Sequence, residues 1–266
     1  MDLGIAGKVA FVEGGSMGMG RATAELFARE GCRVVIAALP EHEDTIKETV
    51  EAIAADGGLS AGVAADLTVE EDVERAIAFA TDAFGPPDIA VANVGGPGPG
   101  YFDDVSNEDF TTSFKQMAMS VVYLARAVLP HMREQRWGRI VTINSNAAKE
   151  PPPELAHILA NTTRAAVVPL CKSLANEFGP DGVTVNTIGT GYIGTPRMRG
   201  YYERLSAERG VPVGDLLAGL TATVPVRRVG DPEEMAGVIV FLCSRLGGYV
   251  TGEFINVDGG QHRSAW

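Results

Sequence analysis

The stretch Lys8-Val9-Ala10-Phe11-Val12-Glu13-Gly14-Gly15-Ser16-Met17-Gly18-Met19-Gly20-Arg21 decides how the chain is read. Lys8–Val12 is a short apolar run without polar alternation, as a strand covered on both faces requires. Four glycines follow at once, and a helical pattern continues to about Glu30. A strand, a glycine-rich turn and a helix in that order bring free backbone amides and the positive end of a helix dipole to one point. A pyrophosphate fits there. Gly14, Ser16, Met17, Gly18 and Met19 are the candidate contacts on this side; a tight turn without ligand is the plainer alternative.

The same alternation of strand and helix continues outward. Arg33–Ala38, Gly62–Ala65, Asp88–Ala92, Arg139–Ile143, Val183–Ile188 and Glu253–Val257 read as six further strands. Helices are expected over His42–Asp56, through Val73, Ala76, Ile77, Ala80 and Phe84, and over Thr112–Arg136 and Asn161–Phe178. Repeated βαβ units require right-handed crossovers, which predicts an α/β, doubly wound, seven-stranded parallel sheet of Rossmann type with helices on both faces. No linker or shift in composition divides the chain, so residues 1–266 read as one domain. The segment from Thr195 to about Val224 has no strand pattern and carries Tyr201, Tyr202, Leu216, Leu217 and Leu220. It is expected as a helical lid over a cleft, with a surface helix pair as the alternative; its composition points to an apolar or aromatic small molecule.

Charge and cysteine usage narrow the class. The 266 residues carry a net charge of −12, which argues against a nucleic-acid partner, since phosphate backbones are held by clustered Lys and Arg. Cys32, Cys171 and Cys243 are odd in number and far apart, and only four His are present, so neither a disulfide framework nor a metal site is expected. No signal-peptide pattern opens the chain and no run of about 18 apolar residues occurs; a cytoplasmic protein without membrane partners is the expectation.

The second strand would end in the residue that selects a dinucleotide: an acid for the ribose hydroxyls of NAD, or a base for the 2′-phosphate of NADP. Here it ends Ala37-Ala38-Leu39-Pro40, and Met17 stands in the loop where a base could be. The choice between NAD and NADP is left open, and weak binding is consistent with either.

These segments, together with Asp66-Leu67, Ala92-Asn93-Val94-Gly95, Gly138-Arg139-Ile140-Val141, Lys172-Ser173-Leu174-Ala175, Gly191-Tyr192-Ile193-Gly194-Thr195 and Val257-Asp258-Gly259-Gly260, fall in an order that resembles the short-chain dehydrogenase/reductase (SDR) superfamily over almost the whole chain. Gly95 through Gly100 and the later Ala160-Asn161-x-x-Arg164 look like a divergent branch similar to β-ketoacyl carrier-protein reductases. The resemblance implies that Asp66 and Leu67 contact adenine, that Asn93 and Gly95 lie along the adenosine ribose, and that Ile193 and Thr195 meet the nicotinamide carboxamide. Asp66 has an alternative role as a helix cap. It also implies a homo-oligomer, a tetramer or dimer, packed through the Thr112–Arg136 and Asn161–Phe178 helices, the last strand and Trp266.

Family chemistry uses a Tyr as proton donor, a Lys that lowers its pKa, a Ser on the substrate oxygen and an Asn that supports the Lys through water. Ser145 matches the Ser, with a strand-end cap as its alternative role. Counted back from Lys172, the Tyr and Lys positions fall on Ala160 and Arg164; counted forward from Ser145 they fall on Ile158 and Thr162. Neither register holds a Tyr, and Met117 occupies the Asn position. Glu13 stands where the family has a small hydroxyl residue, and a charged carboxylate there would repel phosphate unless protonated or turned away.

The catalytic candidates are therefore Ser145, Arg164, Lys149 and Asn161. Arg164 can hold a ribose or anion but is a poor acid. Lys149 could move a proton, or be a solvated loop residue. His157, Tyr192 and Tyr101 are lesser candidates. The expected activity is interconversion of a ketone and an alcohol with NAD or NADP at an atypical centre. A non-redox lyase, isomerase, dehydratase or cyclase, or a non-catalytic dinucleotide-binding protein, stands beside it.

Overall fold

The computed structural model describes residues 2–93, 95–152 and 156–264. Seven parallel strands form one sheet in the order β3-β2-β1-β4-β5-β6-β7. They are β1 (Val9–Glu13), β2 (Arg33–Ala38), β3 (Leu59–Ala64), β4 (Ile89–Ala92), β5 (Gly138–Ser145), β6 (Val183–Thr190) and β7 (Phe254–Val257). Between them lie α1 (Gly18–Arg29), α2 (Glu43–Ala55), α3 (Glu70–Phe84), α4 (Asn107–Phe114), α5 (Ser120–Glu134), α6 (Ile158–Phe178), α7 (Pro196–Arg209), α8 (Val213–Thr221) and α9 (Pro232–Cys243). The expected doubly wound parallel sheet is what forms.

Alternate side chains of each strand leave the sheet on opposite faces, and both faces are apolar. Phe11, Val35, Ala90 and Ile140 pack beneath Val73 and Ala76 of α3, Val121 and Leu124 of α5, and Val167 and Cys171 of α6. Ala10, Val12, Val34, Ile36 and Val91 pack on the other face beneath Ala24 and Phe27 of α1, Ile53 of α2, and Met235, Ile239 and Leu242 of α9. All three cysteines are free and buried. Among the described residues no helix is long and apolar enough to cross a membrane.

The departures from expectation lie at element ends. β5 and β6 run on to Ser145 and Thr190, because Asn144↔Gly189 and Ser145↔Thr190 continue the ladder after the apolar run stops. β3 begins at Leu59 rather than Gly62, drawn in by pairing with Arg33 at the start of β2. The helix expected over Thr112–Arg136 begins five residues earlier. There Ser106 and Asp109 close a reciprocal cap: the Ser106 Oγ accepts from Asp109 N at 3.2 Å and an Asp109 carboxylate oxygen accepts from Ser106 N at 2.7 Å. A π-turn over Lys115–Met119 then separates α4 from α5. Val94 and Trp266, named from the sequence above, lie outside the described residues.

Candidate active site

The strand order reverses between β1 and β4, so their C-terminal ends open a crevice, the place where doubly wound sheets hold ligands. Gly14 turns the chain there with φ of +58°, and a Cβ on it would stand 2.6 Å from the Asn93 carbonyl oxygen. Gly20 is tighter still: its Cβ would fall 2.1 Å from the Gly14 oxygen. These two glycines let the loop fold against Asn93 and start α1 directly beneath the crevice. Ser16 is buried in this loop, and its Oγ has no hydrogen-bond partner among the described residues. Met17 occupies the cap position of α1 without capping it through its side chain, so the helix amides remain available.

Glu13, the residue expected to trouble a phosphate, is fully buried and turned toward β4, where its Oε2 accepts from Asn93 N at 3.2 Å. Burial pushes its carboxyl up to about 8, against a smaller opposing effect of that hydrogen bond. It is therefore neutral over most of the physiological range, and the repulsion disappears for both anticipated reasons at once.

Asp66 takes the role of a turn cap. Its Oδ1 accepts from Thr68 N at 3.0 Å and from Thr68 Oγ1 at 2.8 Å, ahead of α3, while Leu67 is buried. Across the crevice, Thr195 caps α7 by accepting from Met198 N at 3.2 Å. Its methyl group would be 3.1 Å from a Cβ on Gly18, so the start of α7 sits on the glycine loop. Ile193 is buried and bridges to Gly230.

The other half of the site gathers on α6. Ser145, at the end of β5, accepts from Ala147 N at 3.2 Å through its Oγ, so the strand-end cap role is real. The hydroxyl donates to Asn146 Oδ1 at 3.5 Å, a long contact that leaves its proton weakly held. Asn144 anchors α6 to this strand, its Nδ2 donating to the Arg164 carbonyl at 3.0 Å. Asn161 Oδ1 and Arg164 Nε are buried without partners among the described residues. Burial, with a smaller contribution from Arg197, lowers the Arg164 guanidinium to about 10, so it remains charged at neutral pH. A cavity of about 20 Å³, roughly one water molecule in size, lies among Asn93, Met117, Thr142, Asn144 and Arg164. Met117 belongs to the π-turn and accepts from Thr163 Oγ1 through sulfur at 3.3 Å.

Lys149 is not brought to this group. It is exposed, and its ammonium lies 5.1 Å from the centre of the Phe254 ring on β7. His157 does face inward: its ring centre is 6.3 Å from that of Tyr201 on α7, and burial followed by Arg164 and Arg197 lowers its pKa. Tyr101 is exposed on its loop.

The whole chain has counterparts among known proteins. The family model for enoyl-(acyl carrier protein) reductase matches residues 14–262. Short-chain reductase protein NovJ of Streptomyces niveus is 34% identical over 253 residues, 95% of this chain and 93% of that protein. The chain belongs to the short-chain dehydrogenase/reductase superfamily. 3-Oxoacyl-(acyl-carrier-protein) reductase FabG of Vibrio cholerae serotype O1 is 32% identical over 260 residues, 98% of this chain and 99% of that one. The crystal structure of L-sorbose reductase from Gluconobacter frateurii, complexed with NADPH and L-sorbose, superposes with a TM-score of 0.94 at 32% identity, covering 99% of this chain and 100% of that chain. This is an SDR-type oxidoreductase in fold and family.

Two residues of the site escaped the sequence reading. Gln116, on the π-turn, donates from Nε2 to the Gly95 carbonyl at 2.6 Å, and Arg197 Nη2 donates to the Gly96 carbonyl at 3.0 Å. Arg197 follows Thr195-Pro196 directly, but nothing in that spacing says the side chain returns to a loop 101 residues earlier.

Proposed function

We propose that this SDR protein interconverts a ketone and an alcohol with NAD or NADP held across the crevice between β1 and β4, at an atypical catalytic centre. The observation that carries the reading is the Ser16 hydroxyl, buried and unpartnered in a glycine loop at the start of α1. A buried hydroxyl without a partner is costly and is kept where a ligand completes it. Gly14, Ser16, Met17, Gly18 and Met19 would hold the pyrophosphate side, Asp66 and Leu67 the adenine, Asn93 and Gly95 the ribose, and Ile193 and Thr195 the carboxamide. Neither Met17 nor Ala38-Leu39 selects between the two dinucleotides.

When bound, the nicotinamide supplies or takes up the hydride. Ser145 donates its hydroxyl proton to the substrate oxygen and Arg164 holds a ribose or an anionic group. Asn161 Oδ1 accepts a hydrogen bond from substrate or water. Ala160 and Arg164 stand where the family pattern has Tyr and Lys, so no phenol lies at the usual point. With Lys149 drawn to Phe254, His157 or solvent moves the proton, and turnover is slow, since general acid–base help is worth about 10²–10⁴-fold. The α7–α8 pair acts as the lid, with α7 set on Gly18 and its Tyr201 toward His157. The protein works as a homo-oligomer built on α5, α6 and β7, which sedimentation at micromolar concentration checks.

Incubation with NADPH or NADH and a panel of ketones, followed by nicotinamide absorbance, tests the reading; slow oxidation of one dinucleotide is expected. Product formed without any dinucleotide would instead favour a lyase, isomerase, dehydratase or cyclase. The feature on that side is the deeply set Arg164 guanidinium, suited to an enolate.

A further inference from the structure

The feature that the redox reading leaves unexplained is a pair of cations in an acidic protein. With a net charge of −12, carboxylates outnumber Lys and Arg, and Arg21, Arg75 and Arg228 each pair with one, whereas several other Arg, Arg164 and Arg197 among them, do not. What sets Arg164 and Arg197 apart is where they meet. Among the described residues neither pairs with a carboxylate. Arg197 makes one hydrogen bond, to the Gly96 carbonyl, and Arg164 Nε is buried with no partner.

The two side chains come from different elements, α6 and the first turn of α7, and converge on the same two residues. A Cβ on Gly96 would stand 3.3 Å from Arg164 Nη2, and one on Gly95 would stand 3.2 Å from Arg197 Nη1. Like charges do not gather beside a glycine loop without an opposing charge to hold them, because each raises the cost of the other. Side chains at 95 and 96 would fill the space that the guanidiniums approach, and glycine at both keeps it open.

We propose that Arg164 and Arg197 form a two-guanidinium seat for a carboxylate of the substrate, so that the substrate class is a keto or hydroxy acid with an apolar or aromatic body. The seat rests on the reading of this crevice as a substrate cleft. Guanidinium forks match a planar oxoanion with paired donors. The dinucleotide phosphate is the rival source of such an oxoanion. It already has the Gly14–Gly20 loop and the amides of α1, whereas the pair lies past Asn93, on the side of His157, Tyr201 and Met117. Tyr201, its ring centre 6.3 Å from that of His157 and 5.1 Å from that of Tyr202, gives this side of the cleft its aromatic character.

Calorimetric titration with phenylpyruvate and with its methyl ester tests this, on the full chain with and without NADPH. The acid is expected to bind at least about tenfold more tightly than the ester, as one charge-assisted contact implies. Arg197→Gln should erase that preference and leave ester binding in place. Arg164→Lys, which keeps the charge and spares the fold, should retain part of it. Equal binding of acid and ester, no binding of either at millimolar concentration, or an unchanged preference in Arg197→Gln would overturn the seat. If Arg197→Gln weakens NADPH tenfold while the acid preference persists, the pair serves the dinucleotide phosphate and the substrate assignment fails. Acid binding is scored without turnover, so a bound acid with no oxidation of NADPH or NADH by it or by any ketone of the panel refutes the redox reading and keeps the seat. Turnover of neutral ketones with no acid preference does the reverse.

Discussion

The two ends of the crevice are built on different terms. At the β1 end, position is set by backbone: Gly14 and Gly20 close against Asn93, the loop amides stay free, and even the intruding Glu13 is neutralised by burial and turned aside. At the α6 end, position is set by side chains: Arg164 of α6 and Met117 of the π-turn line one small cavity with Asn93 and Asn144. A backbone-built site tolerates exchange of its side chains, whereas a proton path built from side chains changes its chemistry with each one. On the function proposed above, the fold would preserve the phosphate end while the reaction end is free to diverge.

The sharpest way to break this contrast is to rewrite the α6 end alone. Ala160→Tyr combined with Arg164→Lys should raise ketone reduction by about 10²–10⁴-fold if the missing phenol limits turnover. Steady-state kinetics on a variant with an unchanged melting temperature is the check. Breaking the other end needs a single methyl group. Gly20→Ala drives a Cβ into the Gly14 carbonyl and should cost about 1–3 kcal/mol by chemical denaturation, with dinucleotide binding lost.

Glu13 sharpens the comparison through pH. Its carboxyl ordinarily titrates at 4.5 and in the folded protein at about 8, so between those values the folded state holds a proton that the unfolded state has released. Stability then falls as pH rises through that window, by at most about 1.4 kcal/mol per pH unit, and levels off above it. Glu13→Gln should flatten this part of the melting-temperature profile. The smallest effect is expected at Lys149. Lys149→Ala removes only an exposed contact with Phe254, worth about 0.5–1 kcal/mol. Turnover should stay within about threefold, and a loss of a hundredfold would return Lys149 to the catalytic group.

Much of the fold was legible because its signals are local. Apolar runs at 33–38 and 88–92 mark covered strands, and the glycines after Val12 mark the turn. The errors fall where the determinant is not apolar: the polar ends of β5 and β6 are held by pairing, and α4 begins at a cap made by Ser106 and Asp109. At the candidate site the sequence names residues and the structure shows only where they lie. Ser145, Asn161 and Arg164 follow from their distance to neighbouring segments, and the structure sets them around β5 and α6. Of the two roles open to Lys149, the exposed loop position beside Phe254 is where the structure puts it, because a four-residue spacing from Ser145 does not tell which way a loop side chain turns. Arg197 was missed because its contact with Gly96 spans 101 residues. The neutral state of Glu13 also needs the fold, since burial sets it.

The central proposal is that the β1 end holds a dinucleotide phosphate although the proton path at the α6 end is altered. Calorimetric titration with NADPH and with NADH tests it most directly. Micromolar binding of at least one, lost in Gly20→Ala and retained in Ala160→Tyr/Arg164→Lys, is the predicted result. No binding of either at millimolar concentration would contradict it.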